Sequence, residues 1–354
     1  MSKVLFRCDG SLTIGMGHVA RCVSLAEALR RRGVDVCFAM RALTGEATAF
    51  PHDAGFRVHS FACEDGEGNL LGGIDLEATC RYARSLGIRW ILVDHYGASA
   101  QYFAELRSQG FRVAVLDDMA DRDLRAARWI LNQNLGAEKL PYQIESDCVR
   151  LFGPRYALLR PQFAEARAGV QEQRAGVCPH PILLLTLGGG DTSHLSSEVI
   201  RSLEKIEFQM TIQCVLGGKQ PTPARLRDAA EASKHDVTIL RNVADMEILM
   251  QKAQLSVNAG GSTCWELCCL GVPMVILVTS PDQAMIAAEL EQHGCARNIG
   301  KWENVNAPSD LVHAVEELIG HPQVRAQMSA RGREVVDGYG SNRSAASLQE
   351  LIED

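Results

Sequence analysis

Arg7-Cys8-Asp9-Gly10-Ser11-Leu12-Thr13-Ile14-Gly15-Met16-Gly17-His18-Val19-Ala20-Arg21 is the stretch whose reading decides the fold. The apolar run Val4 to Phe6 enters it as a short strand, and a helix is expected at or just after His18. Glycine accepts positive φ and lets a ligand approach the backbone closely, while the free amides and positive dipole at a helix start attract anions. An imidazole at that mouth is placed to take a proton from whatever binds over the glycines. Two plainer readings compete. Gly15-x-Gly17-x-x-Ala20 fits a loose dinucleotide-binding fingerprint, with Asp35 near the ribose acid. Against it, the polar segment Asp9 to Thr13 separates strand from turn, and His18 puts a bulky ring where the pyrophosphate should pass. A histidine that only caps the helix also stays open.

At 354 residues the chain exceeds one comfortable core, so two domains are expected. A hydrophobic fraction of 46% is globular, and a formal charge of −7 argues against a general nucleic-acid binder. Met1 leads directly into a strand with no signal-like segment, and no run approaches a membrane span. A cytoplasmic protein without membrane insertion is expected. The 12 cysteines are scattered without a C-x-x-C pair, and Cys264 and Cys268, spaced to share a helix face beside Cys269, have no histidine close in sequence, which reads as buried apolar residues rather than a zinc set.

Working outward, Val19, Cys22, Val23, Ala26 and Leu29 keep helical spacing, and Arg30-Arg31-Arg32-Gly33 closes that helix. Strands are predicted at 34–39, 58–61, 90–93, 113–116 and 129–131, separated mostly by amphipathic stretches. That alternation predicts a parallel sheet covered by helices. In such sheets ligands collect beyond the carboxyl ends of the strands. Those ends carry Asp94-His95-Tyr96, Asp117-Asp118 and Asn132-Gln133-Asn134. Each is a candidate site, and each is also an ordinary cap or turn former. Residues 64–73 are acidic and glycine-rich, as in a surface loop.

A domain boundary is expected after residue 165, and residues 180–340 repeat the same grammar. Ile182 to Leu187 ends in Gly188-Gly189-Gly190-Asp191, a turn able to hold phosphate, although no Walker lysine follows. Further strands are predicted at 210–216, 237–240, 255–258 and 274–278. After the 255–258 strand comes Gly260-Gly261-Ser262-Thr263-x-x-Glu266, and Asp282-Gln283 follows the 274–278 strand. Glycine amides and hydroxyls suit a diphosphate, and a glutamate one turn on can accept both ribose hydroxyls. Glu266 also fits a first-turn acid favoured by the helix dipole.

With these motifs in order, the chain resembles the nucleotide-sugar glycosyltransferase-B (GT-B) fold, two Rossmann-like α/β domains facing across a cleft. Within that fold it is similar to the PseG family, the UDP-sugar hydrolases of pseudaminic acid (nonulosonate) biosynthesis. Further marks are Gly153-Pro154-x-Tyr156-Ala157-Leu158-Leu159-Arg160 and Asp337-Gly338-x-Gly340-x-x-Arg343. The resemblance implies cofactor-free, metal-independent, inverting hydrolysis of a UDP-linked 2,4-diacetamido-2,4,6-trideoxyhexose to UDP and free sugar. It implies His18 as the base that activates water, with Asp94 and Tyr96 at the sugar, and substrate contacts from Gly15, Gly17, Arg21 and Arg160. The UDP would be held by Gly188, Gly189, Asp191, Ser262, Thr263, Glu266, Asp282 and Gln283. Residues 341–354 would form a closing helix packed back on the first domain. The chain departs from the family at Asp282, where Asn is usual, and at Ala20, where Met is usual. A sister activity on a different sugar, in a spore coat or capsule, is therefore also open. So are a MurG-like UDP-sugar glycosyltransferase, in which His18 deprotonates an acceptor hydroxyl, and a nucleotide-binding protein without chemistry.

Overall fold

The computed structural model describes residues 2–11, 14–43, 47–62, 70–169, 180–188, 192–217 and 221–354. The chain divides into two compact units, Met1–Leu159 with Tyr339–Asp354, and Arg160–Gly338.

The first unit is built on β1 (Lys3–Cys8), β2 (Asp35–Arg41), β3 (Arg57–Phe61), β4 (Trp90–Asp94), β5 (Arg112–Leu116), β6 (Ala127–Asn132) and β7 (Val149–Phe152). They form one parallel sheet in the order β3-β2-β1-β4-β5-β6-β7. Period-two alternation sends side chains to both faces, and both are covered. Val4, Phe6 and Phe38 face the core under helix Gly17–Arg31, and Leu5, Cys37, Ile91 and Val93 face the opposite core. Helix Gly17–Arg31 ends with Gly33 at φ +83°, as the Arg-Arg-Arg-Gly run predicts. Helix Gly340–Glu353 packs against it, adding Ala345, Leu348 and Ile352 to that core.

β8 (Ile182–Thr186), β9 (Thr211–Leu216), β10 (Asp236–Arg241), β11 (Leu255–Ala259), β12 (Met274–Val278) and β13 (Ala296–Lys301) form the second unit's parallel sheet, ordered β10-β9-β8-β11-β12-β13. In each sheet the first strand lies inside the order and the chain reverses direction beside it, between β1 and β4 and between β8 and β11. That is the switch point at which doubly wound sheets bind ligands.

Two strands escape the sequence reading. β7 falls in and just before the stretch read as a connection, and β13 carries little apolar signal. Each lies at a sheet edge, where one parallel neighbour, β6 or β12, supplies the ladder. The first unit ends at Leu159 rather than at 165, because helix Pro161–Ala168 packs on helices Met246–Lys252 and Thr263–Leu270 of the second unit. The chain's return to the first unit uses two glycines. Gly338 has φ +89°, and a Cβ on Gly340 would run into the backbone of Tyr156 and Ala157.

Candidate functional site

In the first unit the ends of β1, β4, β5 and β6 lie side by side, and their polar residues close into one network. Gly15 has φ +82°, and its amide donates to the Ser11 carbonyl at 2.8 Å. A Cβ on Gly10 would come within 2.9 Å of Ala47 and Val19, so the turn packs tightly on its helix. The helix starts at Gly17, with Met16 as its cap. His18 and Arg21 lie on one helical face, three residues apart.

Cys8 pairs with Asp94 across the β1–β4 ladder, which delivers the Asp94 carboxylate to that face. His18 Nδ1 lies 2.6 Å from Asp94 Oδ1, and Arg21 donates to both Asp94 oxygens at 2.6 and 2.7 Å. Burial works against the Asp94 charge, but the Arg21 guanidinium and His18 outweigh it and hold the carboxyl well below the usual carboxylate range. Arg21 Nη2 also lies 3.2 Å from Nδ1, but the ionised carboxylate at 2.6 Å only accepts, so in the neutral ring Nδ1 carries the hydrogen and Nε2 the lone pair. The Tyr96 ring meets the His18 ring edge to face at 4.6 Å, and Tyr96 is 39% exposed where His18 is 9% exposed. Tyr96 Oη donates to Asp118 Oδ2 at 2.9 Å. Asp118 also receives Arg21 Nη1 at 3.0 Å and Asn134 Nδ2 at 2.9 Å. Burial disfavours the Arg21 cation, yet Asp118 and Asp94 raise its pKa well above the ordinary value.

A second buried network lies beside the first. Asp9 accepts from Arg7 at 2.7 Å and from Arg41 at 2.6 Å, and Arg7 also pairs with Asp75, which receives the Tyr102 hydroxyl. His95 Nδ1 accepts from the Gly97 amide at 2.9 Å, so Nε2 carries the hydrogen and faces Asp9 Oδ2 at 3.2 Å. Burial lowers the His95 pKa, with Asp9 opposing. Asp117 ties its own loop by accepting from the Met119 and Ala120 amides, Arg122 and Tyr142.

In the second unit, Ser262 caps helix Thr263–Leu270 and its hydroxyl makes no capping bond. Gln283 Oε1 accepts from the Gly260 amide at 3.2 Å and from the Thr279 amide and hydroxyl at 3.0 Å each. It therefore staples the turns after β11 and β12 together, and a Cβ on Gly260 would press on Gln283 at 3.0 Å. Asp282 begins helix Gln283–Gln292 without a side-chain cap bond. Burial pushes the half-buried Glu266 carboxyl up to about 7, with Arg160 opposing and Glu247 adding to the shift. Arg160 donates to the Ala244 carbonyl at 2.8 Å and lies 3.9 Å from Glu247. Grouped by sequence with the sugar contacts of the first half, Arg160 stands instead in the second unit, in the electrostatic surroundings of Glu266. Gly188 has φ +104°, whereas Gly189 and Asp191 lie outside the described residues.

The structure thus brings His18, Arg21, Asp94 and Tyr96 into direct contact, with Gly15 and Gly17 in the turn that starts their helix. Asp118 and Asn134, strand-end candidates in the sequence with no role assigned, join the first network, and Asp75, not singled out, joins the second. Asp118 had a signal, its place at a strand end; Asp75 had none. Among the described residues no group of three or more His, Cys, Asp or Glu is arranged to hold a metal ion, and no helix is long and apolar enough to cross a membrane.

The fold is that of the GT-B glycosyltransferases, α/β with two parallel-sheet Rossmann-like domains. Residues 184–339 match the glycosyltransferase family 28 C-terminal domain. The structure is similar to the MurG crystal structure from Acinetobacter baumannii, with a TM-score of 0.71 at 17% identity over 99% of this chain and 100% of that one. In sequence the chain is 24% identical to the spore coat polysaccharide biosynthesis protein SpsG of Bacillus subtilis, over 98% of this chain and 97% of that protein. It is 25% identical to the UDP-2,4-diacetamido-2,4,6-trideoxy-beta-L-altropyranose hydrolase of Campylobacter jejuni, over 58% of this chain and 67% of that protein.

Proposed function

We propose that the chain is a UDP-sugar hydrolase that converts a UDP-linked 2,4-diacetamido-2,4,6-trideoxyhexose to UDP and the free sugar, with inversion and without a metal. The observation that carries this reading is the His18–Asp94 pair, 2.6 Å apart, which leaves Nε2 as the proton acceptor. Water attacks the anomeric carbon and gives its proton to His18 Nε2, while the bond to the diphosphate breaks with its electron pair on UDP. Asp94 stabilises the imidazolium that forms. Diphosphate is a good leaving group once its charge is met, and the Ser262 hydroxyl and the start of helix Thr263–Leu270 supply donors for it. Glu266 accepts the ribose hydroxyls when ionised. The activity of the Campylobacter hydrolase supports the substrate, and the full-length similarity to SpsG supports a role in surface polysaccharide synthesis.

The test is UDP release from a panel of UDP-amino sugars, without acceptor and with EDTA present. Release from the diacetamido-trideoxy substrate with an inverted anomeric product supports the reading. Tight binding without release overturns it in favour of a transferase that needs an acceptor hydroxyl, the reading favoured by the family 28 match.

A further inference from the structure

Three strand ends converge on one carboxylate that touches neither the imidazole nor the glycine turn. Asp118, after β5, receives Arg21 from the first helix, Tyr96 from the end of β4 and Asn134 from the end of β6, all within 3.0 Å, and is 7% exposed. Arg21 lies between Asp118 and Asp94, so its orientation toward Asp94 depends on Asp118. Tyr96 is the ring against His18, and its hydroxyl is anchored on Asp118. The carboxylate on Nδ1, the Arg21 guanidinium 3.2 Å from the same nitrogen and the aromatic edge are thus all steered by the same side chain.

We propose that Asp118 is a positioning residue for the His18 base, holding Arg21 against Asp94 and Tyr96 against the imidazole so that Nε2 stays the free nitrogen. This rests on the reading of His18 as the base. Asp118 acts through two arms. The Arg21 arm keeps the Asp94 carboxylate turned toward Nδ1, and the Tyr96 arm limits rotation of the ring. Asn134 completes the carboxylate's set of donors and stops it from turning away. A misplacement of the base by about 1 Å is enough to cost about a hundredfold in rate.

The experiment compares Asp118→Asn, Tyr96→Phe and the double variant in UDP release from the active substrate, alongside His18→Ala. The His18 ring nitrogens are followed by ¹⁵N NMR. Asp118→Asn keeps the shape but cannot accept from all three donors. It is expected to lower kcat about a hundredfold with KM within about threefold, and to move the His18 ring signals away from a single Nδ1–H tautomer. Tyr96→Phe is expected to lose about tenfold, and the double variant to fall within about threefold of Asp118→Asn, because the two share one bond. Fully multiplicative losses, or a folded Asp118→Asn with wild-type kcat and ring signals while His18→Ala is inactive, overturn the proposal. Should Asp118→Asn unfold at the assay temperature, Tyr96→Phe decides alone, and unchanged ring signals there overturn it. Wild-type turnover in His18→Ala instead defeats the reading of the base and leaves a distinct signature, since the ring signals of Asp118→Asn still shift.

Discussion

Asp94→Asn is the perturbation that bears most directly on the mechanism. The Asp94 carboxylate is 1% exposed and accepts from His18 and twice from Arg21 at 2.6 to 2.7 Å, with the Cys22 thiol on the same group at 3.4 Å. An amide offers one accepting oxygen. If that oxygen stays toward His18, the new NH₂ faces Arg21 Nε, donor to donor. If the amide turns over, its NH₂ faces Nδ1, which becomes the acceptor and moves the ring hydrogen to Nε2, so the base is lost. Either arrangement also removes half of the negative charge that balances Arg21. The expected loss in kcat is about 10³-fold, or about 4 kcal/mol of barrier at about 1.4 kcal/mol per tenfold. Folding stability should fall by about 2 kcal/mol, below the usual cost of breaking a buried pair because Asp118 still faces Arg21. UDP release under saturating substrate measures the first effect, and thermal unfolding at neutral pH the second. A folded Asp94→Asn protein within about tenfold of wild-type kcat refutes the assignment of Nε2 as the base.

Four further outcomes are expected. His18→Ala should lose most turnover while still binding UDP, and Glu266→Ala should weaken UDP binding by calorimetry; equal loss of UDP affinity in both would refute the division of labour between the units. Because Glu266 has its pKa pushed up to about 7, and ribose hydroxyls donate to the ionised form, UDP affinity should rise as pH climbs through 7, and Glu266→Gln should flatten that rise. The His95 pKa is lowered by burial, so its contribution to stability is complete above the unfolded value of about 6.5 and is lost as pH falls through it toward the folded value. Chemical denaturation between pH 7 and pH 5 should show this slope, and His95→Gln, which can still accept from Gly97 and donate to Asp9, should reduce it; Asp9 and Asp94, both held low, keep their contributions throughout that range. Gly340→Ala should lower Tm by several degrees, since its Cβ meets the backbone of Tyr156 and Ala157, where no side chain can turn aside.

Much of this molecule is legible in the chain itself because its signals are local. Apolar runs of three to seven residues ending in glycine and polar clusters mark the inner strands, helical spacing marks the first helix, and the run of arginines with Gly33 marks its end. Alternation of the two element types yields the doubly wound α/β class in each half, and the turn at Gly15 and Gly17 marks where helix Gly17–Arg31 starts. The edge strands β7 and β13 were not legible, since what makes them strands is a neighbour's free ladder rather than their own residues. The same holds for Arg160, whose place beside Glu247 depends on how its helix packs. The charged partners were beyond the sequence for a deeper reason. Arg7 meets Asp75 across 68 residues, His18 meets Asp94 across 76, and Arg21 meets Asp118 across 97. No local pattern encodes such a pair. The sequence alone determined the strands other than β7 and β13, the turns and the chemistry each strand end carries. Only the tertiary structure, by setting β1, β4, β5 and β6 side by side in one sheet, decided which of those groups share a hydrogen bond and so which imidazole nitrogen is free to act.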